Sequence, residues 1–190
     1  MKYIFQKDGW KKDDFVYAYS PACKEFPKFI QENDCIVNKE GLGLCGYQYI
    51  SIITKAKYKK GVKVTTNCRY DKFGAPLIAF TNELWEKDGN VMYGAHFEVV
   101  AYEDGCNVWL IKPNPEGPRP TIVKKVGSLP FKLQDGCLVT ITVEILDKKI
   151  AIDVNGNIFE VADEEIPDCC HVGITACEGI NRFYDFEIIE

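Results

Sequence analysis

The sequence predicts an all-β chain, an antiparallel two-sheet β-sandwich. Three observations predict it. Residues 138–146, LVTITVEIL, alternate apolar and polar side chains with the period of two that a half-buried strand needs. Two-residue turn signals, Asp104-Gly105, Asp147-Lys148 and Asn155-Gly156, separate segments of this kind. Short apolar runs with turn residues between them recur roughly every ten residues, the spacing of a sandwich or barrel.

Residues 1–46 read as an irregular segment that packs on the sandwich. Pro21 and Pro27 break any long helix, and residues 24–32 have room for one short helical turn. Strands are expected at residues 47–54, 62–70 and 76–81. Residues 93–103 and 106–112 form a hairpin about Asp104-Gly105, with Val99 opposite Leu110 and Ala101 opposite Val108. Phe97 joins these on the inward face. The stretch 113–120, PNPEGPRP, is a surface loop, because its prolines suit neither helix nor central strand. From 138 to 161 a three-strand meander is specified closely. Ile145 meets Ile150, Val143 meets Ile152, Ile141 meets Val154 and Thr142 meets Asp153. Across Asn155-Gly156, Ile152 meets Phe159 and Ile150 meets Val161. Strands at 171–177 and 182–189 close the chain.

The 190 residues fit one such domain, and 46% apolar residues suffice for a core. A net charge of −5 argues against a nucleic-acid partner. The basic run Lys55, Lys57, Lys59, Lys60 and Lys63 reads as a solvated turn. The first ten residues, MKYIFQKDGW, show no apolar signal region, and no run reaches the ~18 apolar residues of a membrane span, so no membrane partner is expected. Nine cysteines, an odd number without CxxC spacing or an N-x-S/T sequon nearby, suggest a reducing cytoplasm with thiols used as small hydrophobes.

The hairpin 93–112 carries the functional signal. Its outward face holds His96, Glu98, Val100 and Tyr102 on one strand and Asn107, Trp109 and Ile111 on the other. Tyr102 is expected across from Asn107 and Val100 across from Trp109. A plainly solvated face would resemble Thr142, Glu144 and Asp153. Two large aromatics with an amide, an imidazole and a carboxylate instead suit a polyol: a flat ring for its C–H face and planar polar groups for its hydroxyls. The competing reading is a second small core, with a loop or the N-terminal segment covering Trp109 and Tyr102. Near the C-terminus, Glu178, Asn181 and Arg182 stand at a loop and strand start, where Arg182 either clamps Glu178 or contacts ligand.

The closing stretch, Gly173, Ile174, Ala176, Glu178, Gly179, Phe183 and Phe186, set after a hairpin and a meander, resembles the last two strands of the concanavalin A-like lectin/glucanase superfamily, which includes laminin-G-like jelly rolls. The resemblance covers residues 62–190. It implies a jelly-roll sandwich with carbohydrate binding or glycoside chemistry on a concave sheet. The E-x-D-x-x-E strand of laminarinase-like glucanases and the calcium cluster of legume lectins are both missing.

Three functions follow as expectations. The first is a lectin-like domain that binds an oligosaccharide through His96, Tyr102, Asn107, Trp109, Asn181 and Arg182. The second is a small glycoside hydrolase acting through Glu98 and Glu178, whose carboxyls would then need roughly 5–9.5 Å of separation. The third is an intracellular interaction or regulatory domain without a small ligand. No cofactor or metal is expected. Gly41, Gly43 and Gly46 form a literal G-x-G-x-x-G, but a strand follows where a nucleotide fold needs a helix, so it reads as a turn. Cys169, Cys170 and His171 alternate faces and lack a partner group at zinc spacing. No G-x-S-x-G occurs, and Cys106 and His96 fall on opposite faces, which argues against a thiol nucleophile.

Overall fold

Alternation in the sequence becomes two facing sheets in the computed structural model, which describes residues 1–20, 23, 25–38, 49–71, 73–114 and 120–190. The strands are β1 (Lys2–Ile4), β2 (Phe15–Tyr19), β3 (Ile30–Gln31), β4 (Ile36–Val37), β5 (Tyr49–Thr54), β6 (Tyr58–Lys59), β7 (Lys63–Asp71), β8 (Ala75–Thr81), β9 (Leu84–Lys87), β10 (Asn90–Tyr93), β11 (His96–Tyr102), β12 (Gly105–Pro113), β13 (Pro120–Pro130), β14 (Leu138–Leu146), β15 (Lys149–Val154), β16 (Asn157–Ala162), β17 (Cys169–Cys177), β18 (Ile180–Phe183) and β19 (Asp185–Ile189). One sheet runs β16-β15-β14-β7-β18-β4-β3, with β19 also on β7 and β1 on β19. The other runs β13-β12-β11-β8-β17-β5-β2-β10-β9, with β6 on β17. Every pairing is antiparallel except β2 with β10, which is parallel. The chain is an all-β two-sheet sandwich.

The core lies between the sheets. Phe80 and Phe97 stack with centroids 5.0 Å apart, and Ile78, Val99 and Val108 join them from one sheet. Val139, Ile141, Val143 and Ile152 meet them from the other. Each such side chain contributes about 1.5–3 kcal/mol on leaving water. Cys68, Cys106 and Cys170 are part of this interior. Burial pushes the Cys106 thiol up to about 12, so it is a packing group and not a nucleophile.

The β14–β16 meander has the register read from the sequence, with Ile141 on Val154, Val143 on Ile152, Ile145 on Ile150 and Ile152 on Phe159. Asn155 and Gly156 take φ of 51° and 84°, as the two-residue turn requires. The β11–β12 hairpin differs. Glu103 and Asp104 form its turn, and Gly105 enters the strand opposite Tyr102. Val99 therefore meets Val108, Ala101 meets Cys106, Val100 meets Asn107, and Glu98 meets Trp109. The partners move by two residues, an even step, so every side chain keeps its expected face.

The first 38 residues are more ordered than expected. β1 lies on β19, and β2 lies between β5 and β10. Residues 25–29 are not helical, and Ile30–Gln31 is a strand. The expected 182–189 strand is two, because Tyr184 separates β18 from β19. Two elements were not anticipated: the β9–β10 hairpin, which turns at Asp88 and Gly89 with φ of 51° and 76°, and the long edge strand β13. Pro113 pairs with Pro120 across the proline-rich connection. Residues 115–119 and Gly41, Gly43 and Gly46 lie outside the described residues.

Candidate glycan-binding face

The outward face of the ten-strand sheet gathers His96, Glu98, Val100 and Tyr102 of β11 with Asn107, Trp109 and Ile111 of β12. Tyr49 on β5 donates its hydroxyl to Glu98 Oε1 at 2.9 Å, although β17 and β8 lie between their strands. Three strand spacings set flat backbones about 14 Å apart. The two side chains reach each other over the intervening strands.

His96 and Glu98 sit at the heart of the trough, with residues 1% and 7% exposed. His96 Nδ1 stands 2.8 Å from the Gly94 carbonyl oxygen, so this nitrogen carries the hydrogen. Its Nε2 faces Glu98 Oε1 at 3.3 Å. Burial, reinforced by the charge of Glu98, holds the Tyr49 phenol well above its ordinary pKa. Burial does the same to Tyr93. Tyr93 lies 4.7 Å from the His96 ring and its hydroxyl lies 2.6 Å from Ser51 Oγ, to which Thr175 Oγ1 donates at 2.7 Å.

Tyr93 belongs to the β9–β10 hairpin, which roofs the middle of the trough. Ala18, Tyr49, Ile53, Leu77, Ala79 and Tyr93 form a second core there, with Leu84, Val91 and Cys23 packed on it. A second small core thus exists, but it covers the β8–β17–β5 half and not Trp109 and Tyr102. Those two, with Asn107, stay half-exposed on the β11–β13 half, while Val100 packs against that core. Trp109 stands beside Glu98 on one side and Lys125 on the other, with the Lys125 ammonium 5.4 Å from its ring centroid. Asn107 Oδ1 is buried without a hydrogen-bond partner.

The C-terminal residues are placed elsewhere. Asn181 and Arg182 belong to β18, in the opposite sheet. Asn181 is fully buried and closes the 177–181 turn, its Nδ2 donating to the Glu178 carbonyl at 2.7 Å. Arg182 pairs with Asp71 at 2.5 Å and not with Glu178. Neither contacts the trough, because β18 enters the sheet that faces away from it. Glu178 is exposed on the turn with φ of 56°. It lies five positions along β17 from Gly173, the residue in the row of Glu98 and Ala79, so the two carboxylates are not neighbours on the sheet. Sequence reasoning missed Tyr49, Ser51, Tyr93 and Thr175. Alternation along β5 and β17 carried a signal for three of them, and the Asp88-Gly89 turn for the fourth.

Two other places were candidates for chemistry. A cavity of about 90 Å³ opens near the N-terminal segment, lined by Trp10, Lys12, Tyr17, Phe29 and Gln31 among others. Its Gln31 amide is already engaged by Trp10 and by the carbonyls of Phe5, Glu32 and Cys35, leaving no free polar group from that residue. His171 bonds to the Thr54 carbonyl oxygen at 2.9 Å, while the adjacent Cys170 is buried.

No family model and no curated protein sequence matches the chain. Solved structures do match in fold. Carbohydrate-binding module CBM66 from Bacillus subtilis superposes with a TM-score of 0.63 at 8% identity, over 87% of this chain and 100% of that one. A glycoside hydrolase family 16 endo-glucanase from Bacteroides ovatus gives 0.62 at 12% identity, over 100% and 99%. A legume lectin-like domain from Entamoeba histolytica gives 0.57 at 15% identity, over 94% and 90%. The chain has the concanavalin A-like jelly-roll fold.

Proposed function

We propose that this chain is a lectin-like domain that binds an oligosaccharide on the open, β11–β13 half of its concave face. The observation that carries the reading is Trp109: a half-exposed indole with a buried, hydrogen-bonded carboxylate as its cross-strand neighbour. A sugar ring laid on the indole would bring hydroxyls to the half-exposed Asn107 beside it. Tyr102 borders the same surface. The solved structures of like fold include a carbohydrate-binding module, a lectin-like domain and a glucanase, which supports sugars as the ligand class.

Hydrolysis by Glu98 and Glu178 has no support from the strand register. A cytoplasmic location accords with eight described cysteines that are all free thiols, and it belongs to the same proposal. Titration calorimetry against a panel of oligosaccharides tests the reading. Binding should appear with the native chain and vanish with Trp109→Ala. A panel without binding leaves the interaction-domain reading in its place.

A further inference from the structure

Lys125 differs from the lysines around it. Lys112 pairs with Glu165, Lys124 with Asp163 and Lys132 with Asp104. Lys125 joins no ion pair among the described residues; its recorded contact is the face of Trp109. Such a contact, at an exposed site, holds an ammonium by only about 0.5–1 kcal/mol. The charge is thus positioned over the indole and left free of any carboxylate.

Among the described residues no carboxylate pairs with it. Glu98, the cross-strand neighbour of Trp109, is engaged by the Tyr49 hydroxyl and faces His96. Behind it, Tyr49 and Tyr93 are phenols raised by burial. The Cys177 thiol is raised by burial and then by Glu98, so it too is uncharged. Beside Trp109, the outward neighbours Asn107, Ile111, Val123 and Ser128 are neutral. Within an acidic chain of net charge −5, this half of the face thus presents an ammonium that no described carboxylate pairs with.

We infer that the glycan bound here is acidic. Its carboxylate or sulfate would meet the Lys125 ammonium while a sugar ring lies on Trp109. This inference rests on the glycan-binding reading above and adds the ligand's charge to it.

The test compares matched probes on the full chain by titration calorimetry. Trigalacturonic acid is set against its methyl ester, and a κ-carrageenan tetrasaccharide against its desulfated form. One half-exposed ion pair is worth at most about fivefold in affinity. The acid or the sulfate should bind about fivefold more tightly than its neutral counterpart, and added salt should weaken only the charged probe. Lys125→Gln should erase the difference. A preference for the acid alone assigns a carboxylate, and for the sulfate alone a sulfate. Equal binding of charged and neutral probes, abolished by Trp109→Ala, would overturn the acidic ligand and keep the glycan site. A preference untouched by Lys125→Gln would overturn the role of Lys125. No binding of any probe, with the Trp109 indole resonance unmoved, would remove the glycan reading and this inference with it.

Discussion

Tyr49→Phe removes one oxygen from the floor of the trough and nothing else. The hydroxyl donates to Glu98 Oε1 at 2.9 Å, and both residues are buried, at 8% and 7% exposure. Glu98 Oε1 also faces His96 Nε2 at 3.3 Å. Leaving a buried acceptor short of its donor costs about 1–3 kcal/mol. For a domain of this size each kcal/mol lowers the melting temperature by about 2–4 °C, so the variant should melt about 2–12 °C lower. Glu98→Gln should be milder than Glu98→Ala, because an amide still accepts from Tyr49 and can donate to a bare His96 Nε2. Calorimetric melts or urea titrations read both. Tyr49→Phe melting within 1 °C of the native chain would refute the claim that a working hydrogen bond joins these two strands.

Three further outcomes are expected. Gly173→Ala would set a methyl group 2.2 Å from the Ile52 carbonyl oxygen on a central strand, so its denaturation midpoint should fall by the equivalent of about 1–3 kcal/mol or more. Burial, aided by Lys57, holds His171 below its ordinary 6.5 in the folded chain. The unfolded chain then binds more protons in the window just below pH 6.5, so stability falls as pH drops through it and is unaffected above it. A stability–pH series should show that slope, and His171→Gln should flatten it. Asp163, held below its ordinary range because bonds from Lys124 and the Glu165 amide outweigh burial, loses its native advantage as pH falls through that lowered value, so Asp163→Asn should destabilise the chain at neutral pH and weaken its loss of stability in acid.

The fold was legible wherever one face is buried and the turn has two residues. The β14–β16 meander came out in register because Ile141, Val143, Ile145, Ile150 and Ile152 fix the inward face and the two-residue turns Asp147-Lys148 and Asn155-Gly156 fix which residues meet. In the β11–β12 hairpin the phase was legible but the partners were not. The tight turn falls on Glu103-Asp104 because Gly105, with φ of 141°, runs against β13, where a Cβ would lie 2.2 Å from the Leu129 carbonyl oxygen. That contact is long-range, and no local pattern encodes it. The same reason hid the roof. Asp88-Gly89 announces a hairpin, but only tertiary packing sets β10 on β2 and the Tyr93 hydroxyl on Ser51. Asn181 and Arg182 were misplaced because strands adjacent in sequence, β17 and β18, enter different sheets.

The three tryptophans allow one experiment to decide the matter. Trp10 stands at the N-terminal cavity, Trp85 donates to the Tyr93 carbonyl oxygen in the roofing hairpin, and Trp109 lies on the open face. Their indole N–H resonances, followed while the oligosaccharide panel is titrated in, report each place separately. The account predicts a saturable shift at Trp109 with Trp10 nearly still. A shift at Trp10 alone, or none at Trp109 with any sugar, would contradict it.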